Sequence, residues 1–325
     1  MKGETSIRRP RLKDIAEISG VSTTTVSQIL KGRGSFSPAT VERILAVAQE
    51  LNYPIRRKRE KKWTFELAVP ELDNPFYVTI IKFVEGLLRQ RGFILSLIVG
   101  RYTAEILGNL CKEEDKGLFL CPPFDFDEVA CNFDFARMKP PLVLINGRTK
   151  RPDISYVVVD NLGSAKEVVS YLLEKGRRRI VYLRGKPDKE RFEGYLLALK
   201  ERGLEVFEDL IVESGYTYHG GYSSVIKLIE KGIRFDAIFA CNDLAAFGAI
   251  EALRIRGLKV PHDVSVVGFD DIWFSQIYTP KLTTVRQPLY DMCHLAVDVM
   301  LNIMAGKDRI EQRVFQAQFV IRESA

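Results

Sequence analysis

The chain has 325 residues, 46% hydrophobic and 28% charged, a length that suggests two or three domains with ample core. No apolar run approaches the ~18 residues of a membrane span, and the opening MKGETSIRRP lacks the apolar stretch of a secretory signal. A cytoplasmic protein with no membrane partner is therefore expected. Cys111, Cys121, Cys131, Cys241 and Cys293 are an odd number with no CxxC pair, and the three histidines are scattered. Neither a disulfide framework nor a metal site is expected, and no cofactor motif stands out.

The net charge of +6 conceals an asymmetry. Residues 1–62 hold fourteen Lys/Arg against six Asp/Glu, whereas the remainder is slightly acidic. Basicity confined to one end points to an anionic polymer as partner.

Three helices are predicted between residues 12 and 51. LKDIAEIS is closed by Gly20. GVSTTTVSQIL follows, with Ser22 placed to cap it. SPATVERILAVAQEL comes third, with Ser37 as cap and Pro38 at the first helical position. Ala16, Gly20 and Val26 have the A-x3-G-x5-V spacing of a helix-turn-helix, with Ile15, Val21 and Ile29 completing a small core. That spacing alone fits an ordinary helical hairpin equally well. The second helix distinguishes the two readings. Between its apolar positions it carries Ser22, Thr23, Thr24, Thr25, Ser27 and Gln28, poor interior helix formers. These side chains are short enough to reach base edges and phosphates in a major groove, so the helix is read as facing DNA.

LKDIAEISGVSTTTVSQILKG followed by SPATVERILAVAQELNY resembles the DNA-binding headpiece of the LacI/GalR family of bacterial transcription regulators. The resemblance implies that Thr23, Thr24 and Gln28 read bases and that Ser22, Thr25 and Ser27 contact phosphates. Arg11 stands where the family usually has a capping Thr. Family members continue with a segment containing Ala-Arg-x-Leu that folds on DNA and wedges a Leu into the minor groove. Here the run is the shorter NYPIRRKREKKW, an atypical hinge in which Arg56 and Arg57 are expected to hold phosphates and Ile55 is the aliphatic residue available as wedge. The organisation read from the sequence is a basic tail (1–10), a headpiece (11–53), a basic linker (54–64) and a core (65–325).

From residue 65 the chain alternates short β-rich runs, FELAVP, FILSLIV, GLFLC, PLVLI, YVVVD, RIVYL, DLIV, DAIFA and VSVVGF, with helical segments that end in a cation followed by Gly. This is the punctuation of an α/β fold with parallel sheets. Function in such folds sits on loops leaving the C-terminal strand ends. Those loops carry Asn74 and Phe76, Asn146, Arg191, Tyr216, Asn242 with Asp243, and Asp270 with Asp271. Amides, carboxylates, an arginine and aromatics suit a polar, hydroxyl-bearing small molecule. Several have a plainer alternative: Asp243 and Asp271 as caps, Asn74 as a turn former, Phe76 as core.

DNPFY, ERFEGY, CNDLAAFGAIEALRIRGLKVPHDVSVVGFDD and LTTVRQP extend the family resemblance across the chain. It implies a core like periplasmic sugar-binding proteins, two α/β subdomains hinged about chain crossovers with ligand between them. By the same resemblance Arg191, Asn242 and Asp270 bind effector, Asn146 contacts it, Tyr216 stacks on it and Phe76 lines the pocket. The overall expectation is a homodimeric regulator, most often a repressor in this family, bound to a near-palindromic operator and controlled by a small-molecule effector, with a sugar first. The alternatives are a solute-binding or DNA-binding protein that responds to a nucleobase or to a protein partner. An enzyme is not expected: GxSxG, HExxH and a strand-linked GxGxxG are missing, and Ile180 stands where a phosphate loop ending in Gly185-Lys186 would need Gly.

Overall fold

The computed structural model describes residues 10–31, 33–54, 64–100, 116–122, 125–130, 141–307 and 310–325. The chain divides into two compact units, 1–62 and 63–325.

The first unit holds α1 (Leu12–Ser19), α2 (Thr23–Leu30) and α3 (Pro38–Glu50). Each boundary has a local cause. Arg11 at the start of α1 is served by the carboxylate of Asp14, which accepts its backbone N–H at 2.7 Å, the reciprocal half of a capping box. Gly20 ends α1 with φ 67° and donates its N–H to Ala16 O, a left-handed turn that favours glycine. Ser22 and Ser37 accept the backbone N–H groups of Thr25 (3.1 Å) and Thr40 (3.3 Å), and Pro38 opens α3. Ile15, Ala16, Val26, Ile29, Ile44, Val47 and Ala48 form the buried centre, with Val21 and Phe36 packed at its edge.

The second unit has two lobes. In the first, β1 (Thr64–Val69), β2 (Leu95–Val99), β3 (Lys116–Leu120), β4 (Leu142–Ile145), β5 (Ser155–Val159) and β11 (Gln312–Phe315) form a six-stranded parallel sheet in the order β11-β5-β4-β3-β1-β2. Helices α4 (Pro75–Gln90), α5 (Phe126–Ala130) and α10 (Leu289–Met304) belong to this lobe. In the second, β6 (Ile180–Arg184), β7 (Ile211–Glu213), β8 (Ala237–Ala240) and β9 (Ser265–Val267) form a parallel sheet in the order β7-β6-β8-β9. It packs with α6 (Asn161–Glu174), α7 (Lys189–Glu201), α8 (Tyr218–Glu230) and α9 (Asp243–Ile255). Strands β4, β5 and β8 are buried throughout, which is why they read as unbroken apolar runs instead of alternating ones.

An antiparallel pair, β10 (Thr284–Arg286) and β12 (Gln318–Val320), flanks the second lobe. The chain passes between the lobes after β5, again between β10 and α10, and again between β11 and β12. The sequence reading did not include β10, β11 or β12. Each has three or four residues and β11 is half exposed, so their local apolar pattern is weak and their pairing is decided by partners far away in sequence.

Candidate functional site

On the first unit, Ser22, Thr23, Thr24 and Gln28 are exposed, whereas Thr25 and Ser27 are half-buried. Thr24 and Gln28 are one helical turn apart and so share a face. Ser22 is partly committed to structure, since its Oγ caps α2 and lies 2.9 Å from Thr25 Oγ1. Helix α2 thus presents hydroxyls in its first turn and the Gln28 amide in its second over an apolar underside of Val26 and Ile29. Arg56 and Arg57 lie outside the described residues, as do residues 1–9 and most of the linker.

In the second unit a cleft of about 670 Å³ is lined by the loops at the C-terminal ends of strands from both sheets. Asn74, Phe76, Asn146, Arg191, Tyr216 and Asp270 all line it. The fold positions each of them. Asn74 caps α4, its Oδ1 accepting the N–H of Phe76 at 3.0 Å, which turns the buried Phe76 toward the opening. Asn146 stands at the end of β4 with φ 58°, a conformation asparagine tolerates better than most residues. Arg191 is 7% exposed. Its Nε donates to Asn161 Oδ1 (2.9 Å), its Nη1 donates to Cys241 O (2.6 Å), and its guanidinium lies 3.7 Å from the centroid of the Phe269 ring.

Asp270 has φ 115°. Its N–H bonds Val285 O (2.8 Å), and its Oδ1 accepts from Gln287 Nε2 (2.7 Å). Burial pushes its carboxyl up to about 6, against the opposing pull of Arg191 and of the Gln287 hydrogen bond. The turn is held from behind. Asp243 accepts from Ile272 N (2.8 Å), Ser275 Oγ (2.7 Å) and Thr284 Oγ1 (2.5 Å). Asp271 pairs with Arg286 (2.6 Å) and Arg322 (2.7 Å). These two acids therefore brace the turn. Tyr216 lies against Gly185, where a Cβ would come within 2.4 Å of its ring, and its hydroxyl donates to Pro187 O at 2.5 Å. Glycine at 185 lets one ring face rest on the backbone and leaves the other toward the cleft.

Asn242 departs from the expectation that it contacts effector. It is 1% exposed and does not line the cleft. Its Oδ1 caps α9 through Ala245 N (2.9 Å), and its Nδ2 donates to Tyr216 O (3.0 Å). Its amide thus holds the segment that carries Tyr216, and its polar atoms are occupied within the protein. The sequence reading also missed Asn161, Arg148 and Glu190, which line the cleft. Asn161 lies two residues beyond the end of β5, so the rule that selected the other strand-end loops would have found it.

Hydroxyl acceptors, a forked donor and an aromatic face surround one space, an arrangement that binds polyols. Among the described residues no group of three or more His, Cys, Asp or Glu side chains is placed to hold a metal ion, and no helix is long and apolar enough to cross a membrane.

Residues 11–54 match the model described as bacterial regulatory proteins, lacI family, and residues 169–325 match that of a periplasmic binding protein-like domain. The chain is 32% identical to the HTH-type transcriptional regulator CelR of Thermobifida fusca over 98% of each chain. It is 30% identical to the HTH-type transcriptional repressor CytR of Escherichia coli over 100% of this chain and 98% of that one. Among solved structures, a CelR–cellobiose complex aligns with a TM-score of 0.73 at 31% identity, covering 98% of this chain and all of that one. A lac repressor dimer bound to operator aligns with a TM-score of 0.74 over 98% of this chain and 99% of that one. At 24% identity the second likeness speaks for the fold alone. The chain belongs to the LacI family of bacterial regulatory proteins.

Proposed function

We propose that this regulator is a cytoplasmic repressor that binds a near-palindromic operator through α2 and releases or tightens it when a sugar occupies the cleft. It performs no catalysis on that sugar. The observation that carries this reading is that one chain joins a hydroxyl-faced α2 to a cleft in which Arg191, Asp270 and Tyr216 converge. A volume near 670 Å³ lies within the range of about 300–1,000 Å³ usual for small-molecule sites, and the related CelR was solved with cellobiose, so a mono- or disaccharide is the effector class. Linkage then requires that operator binding change sugar affinity by the same factor as sugar changes operator affinity.

A two-fold operator calls for a two-fold protein. On the second lobe Trp273 and Phe274 stack at 3.6 Å and, with Ile277, are 57%, 39% and 64% exposed. Exposed aromatic and aliphatic side chains near one another suit a protein contact, and we assign these to self-association.

The base-reading role is tested by Thr24→Ala and Gln28→Ala. Each should cost about 1–3 kcal/mol on the selected operator and little on random DNA. Equal losses on both DNAs, read by competition binding, would remove these residues as base readers.

A further inference from the structure

The mouth of the cleft is spanned by an ion pair. Arg148, on the loop after β4 of the first lobe, donates Nη1 to Glu190 Oε1 in the first turn of α7 of the second lobe at 2.5 Å. Both line the cleft. The guanidinium of Arg148 is backed by the Tyr156 ring of its own lobe, 6.0 Å away. The other oxygen of Glu190 accepts from Asn161 Nδ2 at 3.4 Å, and Asn161 Oδ1 accepts from Arg191 Nε at 2.9 Å. Asn161 is the first residue of α6, immediately after the chain leaves β5 to cross between the lobes. One continuous polar chain therefore runs from the first lobe, across the mouth, through a crossover residue, to the arginine on the cleft floor.

We propose that Arg148–Glu190 is a latch between the lobes, and that Glu190 and Asn161 are positioning residues that make the orientation of Arg191 depend on closure. Opening the cleft must break the Arg148 contact and free the Glu190 carboxylate to move. Asn161, which also donates to Val159 O at 3.3 Å, then loses one of its restraints, so its hold on Arg191 Nε loosens while Cys241 O and the Phe269 ring keep the rest of the guanidinium in place. Closure restores the one contact that crosses between the lobes, Arg148–Glu190, and with it the restraint on the Glu190 carboxylate. Arg148 is 46% exposed and Glu190 29%, and a pair of that exposure shifts a two-state balance by about fivefold at most. It therefore tunes closure and does not dictate it. Two neighbouring charges are engaged within their own lobe: Asp127 accepts from Thr149 and from the backbone N–H of Lys150, and Lys186 pairs with Glu213.

The consequence for effector rests on the sugar reading above, whereas the latch itself does not. In the ligand-free full chain, Arg148→Met and Glu190→Gln should each raise amide hydrogen exchange at 147–149 and 189–191 by about two- to fivefold, because both segments border the mouth that the pair holds closed. The double variant should exchange no faster than either single one, since the second substitution removes a contact already lost. High salt should raise exchange in the parent chain and leave the variants unmoved. Unchanged exchange, or effects that simply add, would overturn the latch. With cellobiose as the probe, dissociation should be about two- to fivefold faster in each single variant. If the parent chain does not bind cellobiose, the sugar reading fails for that ligand, and the exchange result still decides the latch.

Discussion

Asp270→Ala is expected to abolish the effect of sugar on operator binding while leaving effector-free operator affinity within about twofold. Hydrogen bonds to a charged group contribute about 1.5–3 kcal/mol each, so loss of a carboxylate that accepts from sugar hydroxyls weakens sugar by about ten- to a hundredfold or more. The residue sits at φ 115°, where alanine is poorly accommodated and asparagine is tolerated better. Asp270→Asn therefore serves as the companion variant: it keeps an acceptor for Gln287 and removes the charge. The pH dependence has a defined sign. Burial raises the carboxyl to about 6, and donation from sugar hydroxyls favours its ionised form. Sugar affinity should thus rise with pH through about 6 and level off above it, and Asp270→Asn should flatten the profile. In the ligand-free fold the raised value acts the other way: its stabilising contribution is fullest below the ordinary carboxyl range, near 3.8, and is lost as pH rises through 6. Fluorescence titration of sugar and operator isotherms across pH 5–8 would show both. An undiminished sugar response in the alanine variant would place the effector elsewhere.

Ile15→Ala is expected to cost about 2–5 kcal/mol and to unfold most of the DNA-binding unit. Ile15 is fully buried in a centre made of seven buried apolar residues. At roughly 0.05–0.15 kcal/mol per residue, a unit this small has little stability beyond that loss. Specific and random DNA binding should fall together, unlike the selective losses expected at Thr24 and Gln28. Sugar binding should persist, because the cleft lies wholly in the other compact unit. Circular dichroism and operator binding would check the first expectation and calorimetry with sugar the second. Full operator affinity in this variant would mean that the unit tolerates the cavity.

The elements legible in the sequence are those with local causes. Ser22 and Ser37 mark helix starts because their hydroxyls accept from first-turn backbone donors, Pro38 does so because it has no N–H to leave unsatisfied there, and Gly20 marks an end because a left-handed turn favours glycine. The buried parallel strands announce themselves as apolar runs. What the sequence hid is set by distant partners. Strand β11 exists because β5 lies beside it, pairing Gln312 with Tyr156. Asn242 sits at a strand end like a ligand contact, yet its amide is taken up by Ala245 and Tyr216, which strand-end position alone does not reveal. Arg148 and Glu190 are ordinary surface charges in sequence and meet only because the two lobes face one another across the cleft.

The most direct test is the affinity of the full chain for an operator selected from random duplexes, measured with and without a panel of mono- and disaccharides that includes cellobiose. The account predicts that the selected duplexes show two related half-sites and that one class of sugar shifts operator affinity by about five- to 150-fold. Selected DNA without two-fold symmetry, or an operator affinity that no sugar in the panel moves, would contradict it.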